Sequence, residues 1–366
     1  MNASKNNGFK FNDKDIVAIT EAVVGISEGN YVTVDEVVED IKNKYNNPKE
    51  LGIVFPILSR NRFSIILKAI ARSTKKLYVL LSFPSDEVGN GILDEALLEE
   101  SKYHLGSIIT EEEYFDTFGD WVHPFTGINM INFYKKLIEK EGCKPVFILS
   151  NKATDILKYT KNILTCDIHT RFKTKKAFEN HKDVTVYGLH EIMNSPIGNS
   201  GYNEKYGLLG SNKSTEEKLK LFPRTGQKLV ENIQKKLKKL TGHTIEVMVY
   251  GDGAFRDPVG KIWELADPVV SPAYTKGLEG TPNEIKLKYV SDNKYADLRG
   301  DKLKSAIKEE IKKKDKDLKG KMITQGTTPR RLTDLIGSLC DLTSGSGDKG
   351  TPVVFIQGYF DNLADE

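Results

Sequence analysis

One short segment carries most of the chemistry visible in this chain: Gly251-Asp252-Gly253-Ala254-Phe255-Arg256-Asp257-Pro258. Two carboxylates close together can offer oxygen ligands to a hard divalent cation, and a guanidinium between them can hold a phosphate or a carboxylate. Glycines on both sides of Asp252 let a bulky phosphorylated ligand approach the backbone without meeting a Cβ. The same composition also makes an ordinary pair of turns between strands, and spacing alone supports both readings. For Asp257 the competing reading is a turn cap before Pro258. For Asp348, in the Gly/Ser-rich stretch 343–350, it is a solvated turn.

The element that must deliver this segment is the run 244–250, Thr-Ile-Glu-Val-Met-Val-Tyr, whose β-branched and apolar residues predict a buried strand. Upstream, 15–26 is almost wholly apolar, and 33–45 has a helical pattern. Next, 51–57 and 77–83 read as short buried strands around a helix over 63–72. Thr110 followed by acidic residues marks a helix start, 132–141 a further short helix and 144–149 a strand. An amphipathic helix is expected over 225–240, with Gly242 as its stop. Another is expected over 302–321, where acidic residues interrupt the lysines, so an exposed helix is read rather than a nucleic-acid contact. A helix is also expected just after Thr215. Last come a helix ending near Leu342 and a short buried strand over 351–358. The expected fold class is α+β, with mixed α/β elements.

Composition narrows the function classes. Of 366 residues, 39% are hydrophobic and 29% charged, normal for a globular protein with two or three domains. Because 54 basic and 51 acidic residues nearly cancel, no global charge points to nucleic acid or to an anionic membrane. Cys143, Cys166 and Cys340 form no CxxC pair, and no signal-like leader or membrane-length apolar run is seen, so a reduced, cytoplasmic setting is expected. His169, His181 and His190 lack metal-ligand spacing and read as structural or solvated. Neither GxxxxGK[ST] nor GxGxxG in a strand-to-helix setting occurs, which speaks against a P-loop or Rossmann nucleotide site. The glycine-rich run from Gly198 to Ser211 reads as loop punctuation unless its N–H groups cradle phosphate.

Taken together and in order, separated segments resemble the coenzyme F-420-0:L-glutamate ligase family, the gamma-glutamyl ligases that add glutamate to a deazaflavin coenzyme with GTP and divalent cations. Asp15-Ile16-Val17-Ala18-Ile19-Thr20-Glu21-Ala22-Val23-Val24-Gly25-Ile26-Ser27-Glu28-Gly29 lies without a gap on the family's Asp-Ile-Val-Val-Val-Thr-Ser-Lys-Val-Val-Ser-Lys-Ala-Glu-Gly. Gly207-Leu208-Leu209-Gly210-Ser211-Asn212 is similar to Gly-Ile-Asp-x-Ser-Asn, and Gly251–Pro258 to Ser-Asp-Thr-Phe-Gly-Arg-Pro-Trp. Pro352-Val353-Val354-Phe355-Ile356-Gln357-Gly358 is similar to a final Pro-Val-Val-x-x-x-Gly strand. The resemblance implies a two-part fold with mixed sheets, a homodimer, and small-molecule substrates: L-glutamate and an anionic coenzyme-like acceptor. It also implies GTP with Mn2+ or Mg2+, nucleotide contacts at Ser211, Asn212 and Arg256, and metal contacts at Asp252, the Gly253 carbonyl, Asp257 and Asp348. Residues 1–46 and 198–366 would form the ligase-like core, and 47–197 an inserted or elaborated α/β region.

The departures are specific. Ala22 and Ile26 stand where the family has phosphate-seeking lysines, Leu209 where it has a metal-binding aspartate, and Gly253 where it has a threonine. An alternative is therefore a non-catalytic nucleotide- or coenzyme-binding protein that keeps the fold. A flavin- or phosphate-binding regulator would rest only on the glycine loops.

Overall fold

A computed structural model describes residues 2–124, 126–251, 254–256, 263–265, 271–326, 330–344 and 350–365, with 254–256 and 263–265 as backbone. The strands are β1 (Ile16–Thr20), β2 (Tyr31–Thr33), β3 (Glu50–Val54), β4 (Lys76–Leu81), β5 (Ile109–Thr110), β6 (Lys144–Leu149), β7 (Asn162–Thr165), β8 (Thr185–Gly188), β9 (Asn212–Thr215), β10 (Lys218–Lys220), β11 (Glu246–Tyr250), β12 (Ala254–Arg256), β13 (Trp263–Leu265), β14 (Ala273–Tyr274) and β15 (Val353–Ile356). The helices are α1 (Asn2–Asn7), α2 (Glu21–Glu28), α3 (Val34–Lys44), α4 (Arg62–Ser73), α5 (Glu95–Glu100), α6 (Glu111–Phe118), α7 (Met130–Lys140), α8 (Arg171–Lys176), α9 (Gly226–Thr241), α10 (Leu287–Lys294), α11 (Gly300–Lys313) and α12 (Leu332–Ser344). The fold is α+β with mixed sheets. The chain divides into two compact units.

The first unit, residues 1–20, 226–250 and 273–366, holds a sheet in the order β14-β11-β1-β15. β1 runs parallel to β11, Ile16 opposite Glu246 and Thr20 opposite Tyr250, and antiparallel to β15. Every residue of β11 is buried, which is why its sequence is apolar without alternation. Ile16 and Ala18 of β1 and Met248 and Tyr250 of β11 pack with Ile336 and Cys340 of α12, the period-two face that strand geometry imposes. β15, expected to be buried, is an edge strand with Val353 exposed.

The second unit, residues 21–225 with 251–272, is built on a six-stranded sheet in the order β5-β6-β4-β3-β7-β8. All neighbours are parallel except β5, which runs antiparallel to β6. The chain starts at β3, winds outward through β4 and β6, then returns to β7 and β8 on the other side. This is a doubly wound sheet whose direction of winding reverses between β3 and β7. Side chains alternate between two cores. Leu51, Ile53, Leu77, Val79 and Leu81 join α3, α4 and α7, whereas Val54, Tyr78 and Leu80 face the 3-10 segment Ala153–Lys158. Gly52 sits on that second face because a Cβ there would lie 2.8 Å from Ile156 and from Thr160. Thr33 and Thr110 cap α3 and α6 with reciprocal Glu36 and Glu113 bonds, as the spacing predicted for Thr110.

The helix expected after Thr215 is instead a hairpin of β9 and β10, and β10 also pairs with β2. Pairing with Tyr31–Thr33 decides the conformation there over the helical propensity of the Glu/Lys-rich run.

Candidate functional site

The Gly207–Asn212 run is a wall rather than a cradle. Gly207 (φ +51°) and Gly210 (φ +68°) are left-handed, and a Cβ would lie 2.4 Å from the Ile192 carbonyl oxygen and 2.1 Å from the Phe222 ring respectively. The twist between them turns Leu208 and Leu209 into the hydrophobic core. Leu209, at the position where an aspartate would bind metal, is thus a core residue. Ser211 is wholly buried, and its Oγ has no hydrogen-bond partner. Asn212 opens β9 and donates from Nδ2 to Glu21 Oε1 at 3.0 Å.

Glu21 begins α2 and is itself buried, with Oε2 accepting the Ala22 N–H at 2.7 Å. A carboxylate therefore occupies the Asn212 amide, in the segment where the family carries lysines. Ile26 is 56% exposed. Glu28, which matches the motif, accepts the backbone N–H groups of Arg224 and Thr225 at 2.7 and 3.0 Å.

Beside this wall lies a cavity of about 310 Å³, lined by Leu208, Leu209, Gly210 and Asn212 on one side and by Ser59, Asn61, Arg62 and Phe63 on the other. These last residues form the turn from β3 into α4, at the carboxyl end of the sheet beside its switch point, the place where doubly wound sheets bind ligands. Asn61 caps α4 without a side-chain hydrogen bond, and no acidic residue occupies the first turn. The first N–H groups of a twelve-residue helix, an arginine and three asparagines with no carboxylate in the lining suit an anionic group. Sequence reading missed Asn61 and Arg62. The signal was Ser59-Arg60-Asn61-Arg62 between an apolar strand and an apolar helix, unmarked by any glycine fingerprint.

Of the other predicted site residues, Asp252, Gly253, Asp257 and Asp348 lie outside the described residues. Arg256 ends β12, paired with Trp263. In the first unit, Thr20, Tyr250, Ser344, Gly350, Thr351 and Pro352 line a cavity of about 280 Å³ at the carboxyl ends of β1 and β11. Tyr250 precedes Asp252 by two positions, and Asp348 falls between Ser344 and Gly350. Among the described residues no group of three or more His, Cys, Asp or Glu could hold a metal ion. His190 is half-buried, and burial pushes its pKa down. Burial pushes all three free thiols up, Cys143 to about 11 and Cys340 to about 12.

These features define an α+β protein with cavities at the carboxyl edges of both its central sheets. The chain belongs to the F420-0:Gamma-glutamyl ligase family, whose model matches residues 1–358. The match includes 47–197, where none of the motifs quoted above falls. No curated protein matches the chain. Membership supports, in general terms, an enzyme with coenzyme F420-0 gamma-glutamyl ligase function. No described helix is long and apolar enough to cross a membrane.

Proposed function

We propose that the protein is a GTP- and divalent-metal-dependent ligase that joins L-glutamate to an anionic coenzyme-like acceptor, coenzyme F420-0 or an analogue. The acceptor carboxylate would attack the γ-phosphorus to give an acyl phosphate and GDP. The glutamate amine would then attack the acyl carbon, form the amide, lose a proton and expel phosphate. Mn2+ or Mg2+ would neutralise charge on the transferring phosphoryl group. Asp252, with Asp257, Asp348 and the Gly253 carbonyl, is assigned to the metal, and Ser211, Asn212 and Arg256 to the nucleotide. A homodimer is part of this reading.

The observation that carries it is the carboxylate-free cavity against the Gly207–Asn212 wall, which offers Arg62 and the first turn of α4 to an anion. Calorimetric titration with GTP and then ATP, each with and without manganese, on the parent and Asp252→Asn tests it. Metal-dependent binding that the substitution abolishes is the expected result. Absence of binding by either nucleotide overturns the nucleotide-dependent reading.

A second reading has its own observation. Leu209 is buried in the core and Glu21 holds the Asn212 amide, so two positions where the family places a metal ligand and a nucleotide contact are otherwise engaged. A protein that binds nucleotide or coenzyme without turnover fits this. Nucleotide binding without GDP or phosphate release in the presence of glutamate and acceptor would select it.

A further inference from the structure

The doubly wound sheet carries a larger cleft at the same carboxyl edge, about 930 Å³, within the range of small-molecule sites. It opens among the residues that follow β3, β4, β6 and β7, with α5 and residues 103–105 closing one side. Its body is apolar and aromatic through Phe55, Phe83, Leu98, Tyr103 and Leu105. Its polar lining has one sign: Asp86, Glu87, Glu95, Glu99 and Asp167 contribute five carboxylates, and neither lysine nor arginine lines it. His104, also in the lining, accepts the Gly106 N–H at Nδ1, 3.1 Å away.

Two of these carboxylates already have structural work. Asp86 accepts four hydrogen bonds, from the N–H groups of Leu58, Val88 and Asn90 and from Asn90 Nδ2. Glu87 accepts the N–H groups of Ile168, His169 and Thr170. Asp167 differs. It is 1% exposed, and its Oδ2 accepts the hydroxyls of Thr170 and Thr174, each at 2.6 Å. Its Oδ1 is buried with no hydrogen-bond partner. A buried acceptor without a donor costs about 1–3 kcal/mol, which a ligand N–H or ammonium would recover. Burial raises the Asp167 pKa, consistent with a carboxylate short of partners.

We propose that this cleft binds an organic cation, a small molecule with an ammonium or guanidinium group on an apolar or aromatic body, whose N–H is taken by Asp167 Oδ1. The rings of Phe55, Phe83 and Tyr103 favour such a cation over a neutral body of the same size. Inorganic cations do not fit, since the carboxylates do not converge into a ligand set. Phosphates and glutamate do not fit either, because either would face five carboxylates. The site is thus separate from the ligase chemistry proposed above.

The test is calorimetric titration of the full chain at neutral pH with tryptamine, a cationic indole, and with indole-3-acetate, a similar ring bearing an anion. Tryptamine should bind saturably, and indole-3-acetate at least about tenfold more weakly. Asp167→Asn should weaken tryptamine about tenfold or more. Because that substitution touches the buried Thr174, the exposed rim variant Glu99→Lys is the companion, and it too should weaken tryptamine while leaving the unfolding midpoint in place. Equal binding of the two probes, no saturable binding of tryptamine, or tryptamine affinity unchanged in a folded Asp167→Asn or in Glu99→Lys would overturn the proposal.

Discussion

The two cavities at the carboxyl edge of the doubly wound sheet share a scaffold and differ in sign. The smaller, at the β3–α4 turn, is lined by an arginine, three asparagines and no carboxylate; the larger, over the ends of β4 and β6, is lined by five carboxylates and neither arginine nor lysine. Parallel strands fix where such cavities open, and the loops after each strand fix what charge they present. The lesson is that one sheet can hold opposite ligand preferences within a few residues, since Leu58 and Asn90 of the smaller cavity bond directly to Asp86 of the larger.

The comparison can be broken first at the far wall of the smaller cavity. Gly210→Ala forces a Cβ into the Phe222 ring at a left-handed φ, and a loss of at least about 3 kcal/mol is expected, read from the urea unfolding midpoint. Next in size is Asp86→Ala, which strands three backbone N–H groups and an amide in the interior; about 2–4 kcal/mol should be lost. Asp86 also has a pH signature. Burial lifts its pKa from 3.8 to about 6, so between these values the folded chain keeps a proton that the unfolded chain releases. Its contribution is fully present below the lower value and is lost as pH rises through the upper one, at most about 3 kcal/mol. Asp86→Asn should flatten that part of the stability profile, as measured by denaturation across the window.

Smaller effects sharpen the contrast. Arg62→Ala should weaken GTP about tenfold and leave tryptamine unchanged, the reverse of Glu99→Lys, in paired calorimetric titrations. Glu21→Gln removes a negative charge from Asn212, and about threefold tighter GTP binding is expected in the same assay. Weaker GTP binding would mean that Glu21 positions Asn212 for the nucleotide.

Elements with strong local signals were legible. The run 244–250 became the buried β11, 144–149 became β6, and 225–240 became α9, because apolar content and amphipathic spacing report burial directly. β7 and β8 escaped notice: each is four residues long, and Asn162–Thr165 and Thr185–Gly188 are strands because their parallel neighbours pair with them. For the site, the order of motifs pointed to the family, and Asn212 does line a cavity. Arg62 and Asp167 were not legible, since each takes its meaning from loops brought together by the strand order.

One topological fact bears on how the chain comes to be folded. Among the described residues, β1 pairs in parallel with β11 and antiparallel with β15, both far along the chain from it. The residues between β1 and β11 include a whole doubly wound sheet whose parallel strands are joined by crossovers that carry α4, α5 to α7, the 3-10 segment Ala153–Lys158 and α8. During synthesis that sheet has all its strands long before β1 has either neighbour, so β1 waits as an apolar strand with two open edges. The described sheet of the first unit is therefore complete only once β15 has been made. Truncation at the C-terminus would strip β15 from β1 while leaving every strand of the doubly wound sheet in place.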